Sequence, residues 1–141
     1  NAFQLTDVFQ KMITEHLDFE LLNIPELFII NYRFLPREQN QRIERILDET
    51  GGNYNDAGIV EINRILNDIN KDLHRALRRE DNSFVSRTIL ESTIYQGQEI
   101  LSLRAVTINP LTDNRILTEI LSEQALLGNR IYEDYKKNRL L

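Results

Sequence analysis

Residues 55–81, NDAGIVEINRILNDINKDLHRALRRED, contain the clearest structural signal in the sequence. Apolar side chains recur there in steps of three and four residues, at Ile59, Ile62, Leu66, Ile69, Leu73 and Ala76. This period places them in one stripe along an α-helix, as in the seam of a helical bundle. The stretch therefore predicts a long amphipathic helix whose apolar side is buried against other helices.

The segments before this helix also favour helical structure. Residues 5–22 have a wide apolar face at helical spacing and predict a first helix. Pro36 suits the start of a second helix over residues 37–50, and Gly51 with Gly52 marks the loop that follows. The apolar run at residues 27–35 alternates with period two, as a strand does. We interpret it as a short buried helix, because no second strand is available to pair with it.

The segments after the opening stretch complete the predicted fold. Leu90, Ile94, Gly97 and Leu101 fit one side of a helix, and residues 113–139 predict the last helix. Helix-interior glycines at Gly97 and Gly128 suggest a close crossing of these two helices. We predict an all-α fold, an antiparallel helical bundle of four to six helices, with three long helices in residues 55–140.

Length and composition limit the classes of protein that fit. The 141 residues suit one domain, which we place at residues 3–141, with residues 1–2 interpreted as a tag remnant. A net charge of −5 argues against nucleic-acid binding, and the chain has no apolar run long enough for a membrane span. The absence of cysteine excludes disulfides, thiolate metal sites and cysteine nucleophiles.

A polar stripe lies beside the apolar seam of the opening helix. At 100° per residue, four uncharged or weakly basic side chains fall within about 60° of each other; they are Asn63, Asn67, Asn70 and His74. Amides both donate and accept hydrogen bonds, so the stripe predicts a groove for a small polar ligand or a partner's backbone. The bland alternative is that these residues set helix register at the edge of the seam.

A basic cluster follows the stripe, and it predicts an anion-contact surface made of Lys71, Arg75, Arg78 and Arg79. Interleaved carboxylates make surface ion pairs the simpler alternative. His16 and Glu20 are four residues apart on the predicted first helix, a spacing that allows a shared metal or a hydrogen bond. The chain lacks paired Glu-x-x-His motifs, so we predict no metal site and no cofactor.

The predicted function is therefore non-catalytic. The architecture resembles the four-helix sensor domains of bacterial receptors and sensor kinases, which implies a ligand- or partner-sensing input domain cut from a longer signalling protein. One alternative is a cytosolic adaptor that binds a partner helix, with a homodimer through an exposed helix face. A third is a small-molecule or metal enzyme that uses His16 or His74. Both an extracytoplasmic and a cytoplasmic location fit the sequence.

Overall fold

The computed structural model describes residues 2–23, 28–79, 85–106 and 113–138. Within these ranges, four helices and four strands follow one another. Their bounds are α1 Ala2–Glu15, β1 Phe19–Leu21, β2 Ile29–Phe34, α2 Arg37–Thr50, α3 Ala57–Arg79, β3 Val85–Glu91, β4 Glu99–Val106 and α4 Asn114–Lys137. The chain is thus an α/β protein, and the prediction of an all-α helical bundle was wrong.

The strands form one antiparallel sheet in the order β1-β2-β4-β3. Consecutive side chains on a strand point to opposite faces, so the register defines two faces. One face, the apolar sheet face, includes Phe19, Ile30, Tyr32, Phe34, Leu103 and Ala105, all of them buried. Helices α1 and α4 cover it. The ring of Phe9 in α1 packs edge-on against Tyr32, and α4 meets Phe34.

Residues 27–35 were predicted to be a buried helix, but β2 occupies Ile29–Phe34. Its partner is β4, which lies in the segment that we interpreted as a long helix after residue 83. The two wrong assignments are linked, because interpreting the segment after residue 83 as a helix left no strand that could pair with residues 27–35. The segment around residues 85–106 is a β-hairpin, and Gly97, predicted inside a helix, lies in its turn with a φ of 85°.

Helices α2 and α3, which flank the loop that begins at Gly51, match their predicted bounds closely. α2 spans Arg37–Thr50 and ends at Gly51, which adopts the left-handed conformation with a φ of 68°. In α3 the predicted seam is buried at Ile59, Ile62, Leu66, Ile69 and Leu73. Within the described residues no helix is long and apolar enough to cross a membrane.

Gly128 allows α4 to approach the sheet closely. A methyl group on its Cα would lie 2.8 Å from a ring carbon of Phe34, nearer than packed carbon atoms come. The predicted close approach is therefore real at Gly128, but it joins a helix to a strand and not two helices. The predictions of a single domain over residues 3–141 and of a tag remnant at residues 1–2 remain predictions.

Candidate functional site: the polar face of the sheet

The second face of the sheet is polar at its centre. Seven polar side chains alternate with the apolar set along the four strands, and we call them the polar sheet face: Glu20, Asn31, Arg33, Ser86, Thr88, Ser102 and Arg104. Three of these side chains, Asn31, Arg33 and Ser102, are buried, so they need hydrogen-bond partners within the structure. It is the part of the described structure where polar side chains from all four strands come together.

A buried ion pair lies at one end of this face. Arg33 on β2 is completely buried, and its Nε donates a hydrogen bond of 2.7 Å to Oε1 of Glu20 on β1. The hydroxyl of Tyr95, from the loop between β3 and β4, donates to Oε2 of the same carboxylate at 2.6 Å. The Arg33 guanidinium also lies 4.9 Å from the centre of the Tyr95 ring. The three side chains thus balance a buried charge and tie three chain segments together.

Electrostatics keep two members of this cluster, Arg33 and Tyr95, in one protonation state each. Burial disfavours the charged form of Arg33, but the nearby Glu20 and Tyr95 outweigh it, so its pKa lies above the usual value. Burial raises the pKa of Tyr95 well above its ordinary value of 10, and Arg33 offsets only part of that rise. Tyr95 therefore remains a hydrogen-bond donor and Arg33 remains a cation throughout the physiological range.

Amide side chains extend the cluster to α3 and to the loop before it. Nη1 of Arg33 donates to Oδ1 of Asn63 at 2.9 Å, and Nδ2 of Asn63 donates to Oε1 of Gln98 at 2.9 Å. Nε2 of Gln98 in turn donates to the backbone oxygen of Tyr54 at 3.0 Å. These bonds fix the β3–β4 loop to the start of α3, so the cluster is a rigid base for the polar sheet face.

Arg104 is the exposed cation of the polar sheet face. On β4 it lies directly across from Asn31 on one side and Ser86 on the other. Among the described residues no carboxylate forms an ion pair with it, whereas Arg64 and Arg75 on α3 each pair with an acid three residues earlier. A guanidinium that is held on a strand without a partner is suited to binding a carboxylate through two parallel hydrogen bonds.

The predicted ligand-binding asparagines make hydrogen bonds within the chain. The side chain of Asn70 accepts from the backbone N–H of Phe34 at 2.8 Å and donates to the carbonyl of Phe34 at 3.0 Å. Asn67 accepts from the backbone of Leu101 at 2.8 Å and donates to that of Glu99 at 3.0 Å. Both lie where β2 and β4 separate, and they take the place of a strand partner. Ligand binding by Asn63, Asn67 and Asn70 remains an untested prediction.

His74, the fourth residue of the stripe, lies at the other end of α3 and is 6% exposed. Burial lowers its pKa, and the positive charges of Arg87 and Arg78 lower it further, while a hydrogen bond with the backbone of Val85 opposes them. Within the described residues its Nδ1 has no hydrogen-bond partner. In the described part of the chain, the charges that act on His74 are therefore those of arginines, and no carboxylate is among them.

Two of the four predicted anion-contact residues, Arg75 and Arg78, are exposed on α3. Arg75 is exposed and makes a 3.9 Å ion pair with Asp72 one turn earlier. Lys71 is partly buried, Arg78 is exposed beside His74, and the side chain of Arg79 lies outside the described part. An anion contact at these positions stays a prediction.

His16 follows the end of α1 and is not paired with Glu20. Its Nδ1 accepts a hydrogen bond from the backbone N–H of Asp18 at 3.0 Å, and its ring packs edge-on against Phe19. Glu20 belongs to β1, so the predicted helical spacing of the two residues does not exist. A pocket of about 250 Å³ lies beside His16 between α1 and α4. No group of three metal-binding side chains occurs in the described ranges.

The charged and aromatic residues on which this site depends most escaped the sequence analysis: Arg33, Tyr95 and Arg104. Arg33 stands in a run of aromatic and aliphatic residues, NYRFL, and a cation in such a run is a signal of a buried ion pair. Nothing local marks Tyr95 or Arg104, since their roles arise from strand pairing between distant segments.

Comparisons with known proteins relate the chain to decarboxylases. No protein-family model matches the sequence. The chain is 34% identical over 116 residues to aspartate 1-decarboxylase of Aliivibrio fischeri, a match that covers 82% of this chain and 20% of that protein. The structure resembles mouse CSAD in its apo form, with a TM-score of 0.69 and 20% identity over 90% of this chain and 23% of that one.

Two further solved structures share the fold. The glutamate decarboxylase domain of diaminobutyrate-pyruvate transaminase and L-2,4-diaminobutyrate decarboxylase from Vibrio parahaemolyticus has a TM-score of 0.60 and 19% identity, over 92% of this chain and 21% of that one. Oryza sativa TDC with PLP has a TM-score of 0.63 and 12% identity over 92% of this chain and 22% of that one.

These similarities overturn the predicted function. The expectation of a non-catalytic sensor domain, with an adaptor as its alternative, was wrong, because the relatives are enzymes and their matching parts have this α/β fold. The prediction that the protein is not an enzyme falls with it. The chain spans about one fifth of the length of the curated relative that it matches. It is thus an α/β chain that is similar in sequence to one part of aspartate 1-decarboxylase.

Proposed function

We propose that this chain forms part of a PLP-dependent amino-acid decarboxylase that acts on L-aspartate. The observation that carries the proposal is the 34% identity to aspartate 1-decarboxylase over 116 residues. The fold that the chain shares with mouse CSAD and with the Vibrio parahaemolyticus glutamate decarboxylase domain supports it. The reaction that we assign to the whole protein is the release of one substrate carboxylate as CO₂.

The residues of this chain do not fit PLP itself. A PLP enzyme holds its cofactor through a lysine Schiff base, with a charged partner at the pyridine nitrogen. Lys11 and Lys137 are exposed, Lys71 is partly exposed on α3, and Lys136 lies against Glu38 and the ring of Tyr132. None of the four stands in an enclosed polar pocket of the described structure. We therefore propose that the cofactor is bound by the part of the whole protein that corresponds to the remaining four fifths of the relative.

Our proposal for the chain's own contribution is that Arg104 binds a carboxylate of the substrate. Aspartate carries two carboxylates, and the one that is not lost needs a fixed cation for recognition. Arg104 is exposed, is held on a strand, and has no carboxylate partner among the described residues. The buried cluster of Arg33, Glu20 and Tyr95 stiffens the same sheet face. A rigid cation discriminates between substrates better than a mobile one.

The test is a kinetic comparison in the whole protein that contains this chain, loaded with PLP. Decarboxylation of L-aspartate, L-glutamate and L-2,4-diaminobutyrate is measured for the wild type, for Arg104→Gln, and for Arg45→Gln as an exposed arginine on α2. We expect L-aspartate to be the preferred substrate. We expect R104Q to raise KM for aspartate about 10- to 100-fold, the loss of a charge-assisted hydrogen bond, and R45Q to change nothing.

The two parts of the proposal fail separately. If the whole protein decarboxylates none of the three amino acids, the decarboxylase assignment is wrong. If it is active on aspartate and R104Q behaves like R45Q, only the role of Arg104 is lost.

A further inference from the structure

Asn31 on β2 lies directly across from Arg104 on β4, and the backbone bonds of Asn31 define how close the two residues are. The backbone N–H of Asn31 donates to Oδ1 of Asn23 at 2.9 Å, and its carbonyl accepts from the N–H of Leu22 at 2.8 Å. Leu22 directly follows β1, so both groups point away from β4. Asn31 and Arg104 therefore form a non-hydrogen-bonded antiparallel pair, in which the Cα atoms are about 4.5 Å apart and the side chains are closest.

The other cross-strand neighbour of Arg104, Ser86 on β3, is farther away. The backbone N–H of Leu101 and the carbonyl of Glu99 bond to Asn67, away from β3. Backbone groups of successive residues on a strand point in opposite directions, so those of Arg104 point toward β3. Arg104 and Ser86 are thus a hydrogen-bonded pair with Cα atoms about 5.5 Å apart, and Asn31 is the nearer neighbour of the guanidinium.

The side-chain amide of Asn31 is enclosed on the polar sheet face. Asn31 is 9% exposed, and its Oδ1 lies 3.5 Å from the hydroxyl of Ser102, which precedes Arg104 on the same face of β4. Its Nδ2 donates no hydrogen bond to any residue of the described structure. An N–H group in so enclosed a place is suited to a ligand that accepts a hydrogen bond.

The neutral charge of Asn31 leaves Arg104 available to a ligand. Arg33, two residues further along β2, is different, because its charge is already balanced by Glu20. An aspartate at position 31 would have the same shape as Asn31, but its carboxylate would pair with Arg104 across the two strands. The amide at this position therefore determines which charge the site accepts.

We propose that Asn31 is a specificity-determining residue of the carboxylate site, and that its Nδ2 donates to the same substrate carboxylate that Arg104 binds. This role of Asn31 rests on the proposed function, which assigns that carboxylate to Arg104. A carboxylate has about four lone-pair positions, and a guanidinium fork occupies two of them. The amide fills a third without adding charge. The site therefore accepts an anionic side chain and rejects a cationic one, such as that of L-2,4-diaminobutyrate.

A change of charge at position 31 tests this role in the whole protein that contains this chain, loaded with PLP. Asn31→Asp should raise KM for L-aspartate about tenfold or more, because the new carboxylate pairs with Arg104 and repels the substrate. Repulsion of L-2,4-diaminobutyrate falls at the same time. The ratio of its kcat/KM to that of L-aspartate should therefore rise about tenfold or more. A merely structural defect would lower both values of kcat/KM and leave their ratio unchanged.

Two further variants separate the hydrogen bond from the charge. Asn31→Leu keeps the side-chain volume and removes the donor, so we expect KM for L-aspartate to rise about tenfold while kcat is kept. Asn40→Asp adds the same charge on α2, which packs against no strand of the described structure, and it should behave like the wild type. If both Asn31 variants behave like N40D while R104Q raises KM, Asn31 has no part in the site.

Binding of succinate, a dicarboxylate without the amino group of aspartate, tests the site without turnover. We expect isothermal titration calorimetry to show binding to the wild type and to N40D, and binding about tenfold or more weaker for N31D and R104Q. Succinate binding that depends on both residues, in a protein that decarboxylates no amino acid, would support this carboxylate site and refute the proposed function. Equal succinate affinities of the wild type and N31D, in a protein that is active on aspartate, would overturn the role of Asn31 alone.

Discussion

Arg33 and Glu20 form a pair on adjacent strands, with 2.7 Å between Nε and Oε1, and only Glu20 reaches solvent. The arginine side chain is completely buried, while that of Glu20 is 21% exposed. A cation placed so deeply depends on its partner, because it has lost its hydration and cannot regain it without opening the sheet. The pair therefore couples the stability of β1 and β2 to the β3–β4 loop, which reaches the same carboxylate through Tyr95.

The first prediction concerns this pair. Glu20→Gln leaves the Arg33 charge buried without its counter-ion, so we expect the free energy of unfolding to fall by about 2–4 kcal/mol, somewhat less than for a fully buried pair. Urea denaturation measures it. Glu61→Gln, which removes an exposed ion pair with Arg64, is the control and should have no measurable effect. Equal stabilities of the two variants would show that Arg33 does not need Glu20.

The second prediction concerns the asparagines that replace a strand partner. Asn70→Leu keeps the side-chain volume but leaves the N–H and C=O of Phe34 without their partner, so we expect a loss of about 2–5 kcal/mol in the free energy of unfolding. Asn67→Leu should cost less, because Asn67 is partly exposed and water can replace it. Urea denaturation of both variants is the measurement, and a smaller loss for Asn70 than for Asn67 would contradict this account.

The third prediction concerns the close approach of α4 to β2. Alanine favours a helix over glycine by about 1 kcal/mol, yet we expect Gly128→Ala to destabilise the protein by about 1–3 kcal/mol. The added methyl group would lie 2.8 Å from the Phe34 ring. A smaller side chain at position 34 should relieve the clash. The double variant G128A with Phe34→Leu should therefore be more stable than the sum of the two single changes in the free energy of unfolding predicts. Additive effects, or a stabilised G128A, would show that no clash exists.

The fourth prediction concerns pH. Burial, then Arg87 and Arg78, lower the pKa of His74 in the folded protein, so the unfolded chain binds the proton more readily. Above the unfolded pKa of about 6.5, His74 is neutral in both states and does not reduce the free energy of unfolding. Below that pH, the free energy of unfolding falls until the pH reaches the lowered folded pKa. His74→Gln should remove this part of the pH dependence of the free energy of unfolding.

Unfolding by urea between about pH 7.5 and pH 5.5 compares the wild type with H74Q, because every other titratable group is the same in the two proteins. The wild type should lose more stability than H74Q as the pH falls. If the two proteins lose stability in parallel, His74 is not a buried neutral side chain.

Helices α2, α3 and α4 could be predicted because their signals are local, whereas the helix predicted over residues 5–22 was too long, since α1 ends at Glu15 and β1 occupies Phe19–Leu21. The period of Ile59, Ile62, Leu66, Ile69 and Leu73 requires one buried stripe, and Pro36 and Gly51 fix the ends of α2 through their backbone preferences alone. No knowledge of the neighbours was needed. The same reasoning found the start and end of α4 within two residues.

The sheet could not be predicted in this way, because a strand is defined by a partner that is distant in the sequence. The alternation of Ile30, Tyr32 and Phe34 was visible, but the partner β4 did not alternate. Both of its faces are covered from Ile100 to Leu103, so that run lost the period of two. Helical spacing of Leu90, Ile94 and Leu101 then arose by coincidence. The polar sheet face depends on the pairing of β2 with β4, so it could not be predicted either.

The most direct test of the proposed function is the release of CO₂ from L-aspartate by the whole protein that contains this chain, in the presence of PLP. Labelled carbon at the carboxylate that is lost gives a signal that does not depend on the identity of the product. We expect turnover that is faster with aspartate than with L-glutamate or L-2,4-diaminobutyrate. Absence of labelled CO₂ from every one of the three amino acids, with a folded protein that has taken up the cofactor, would contradict it.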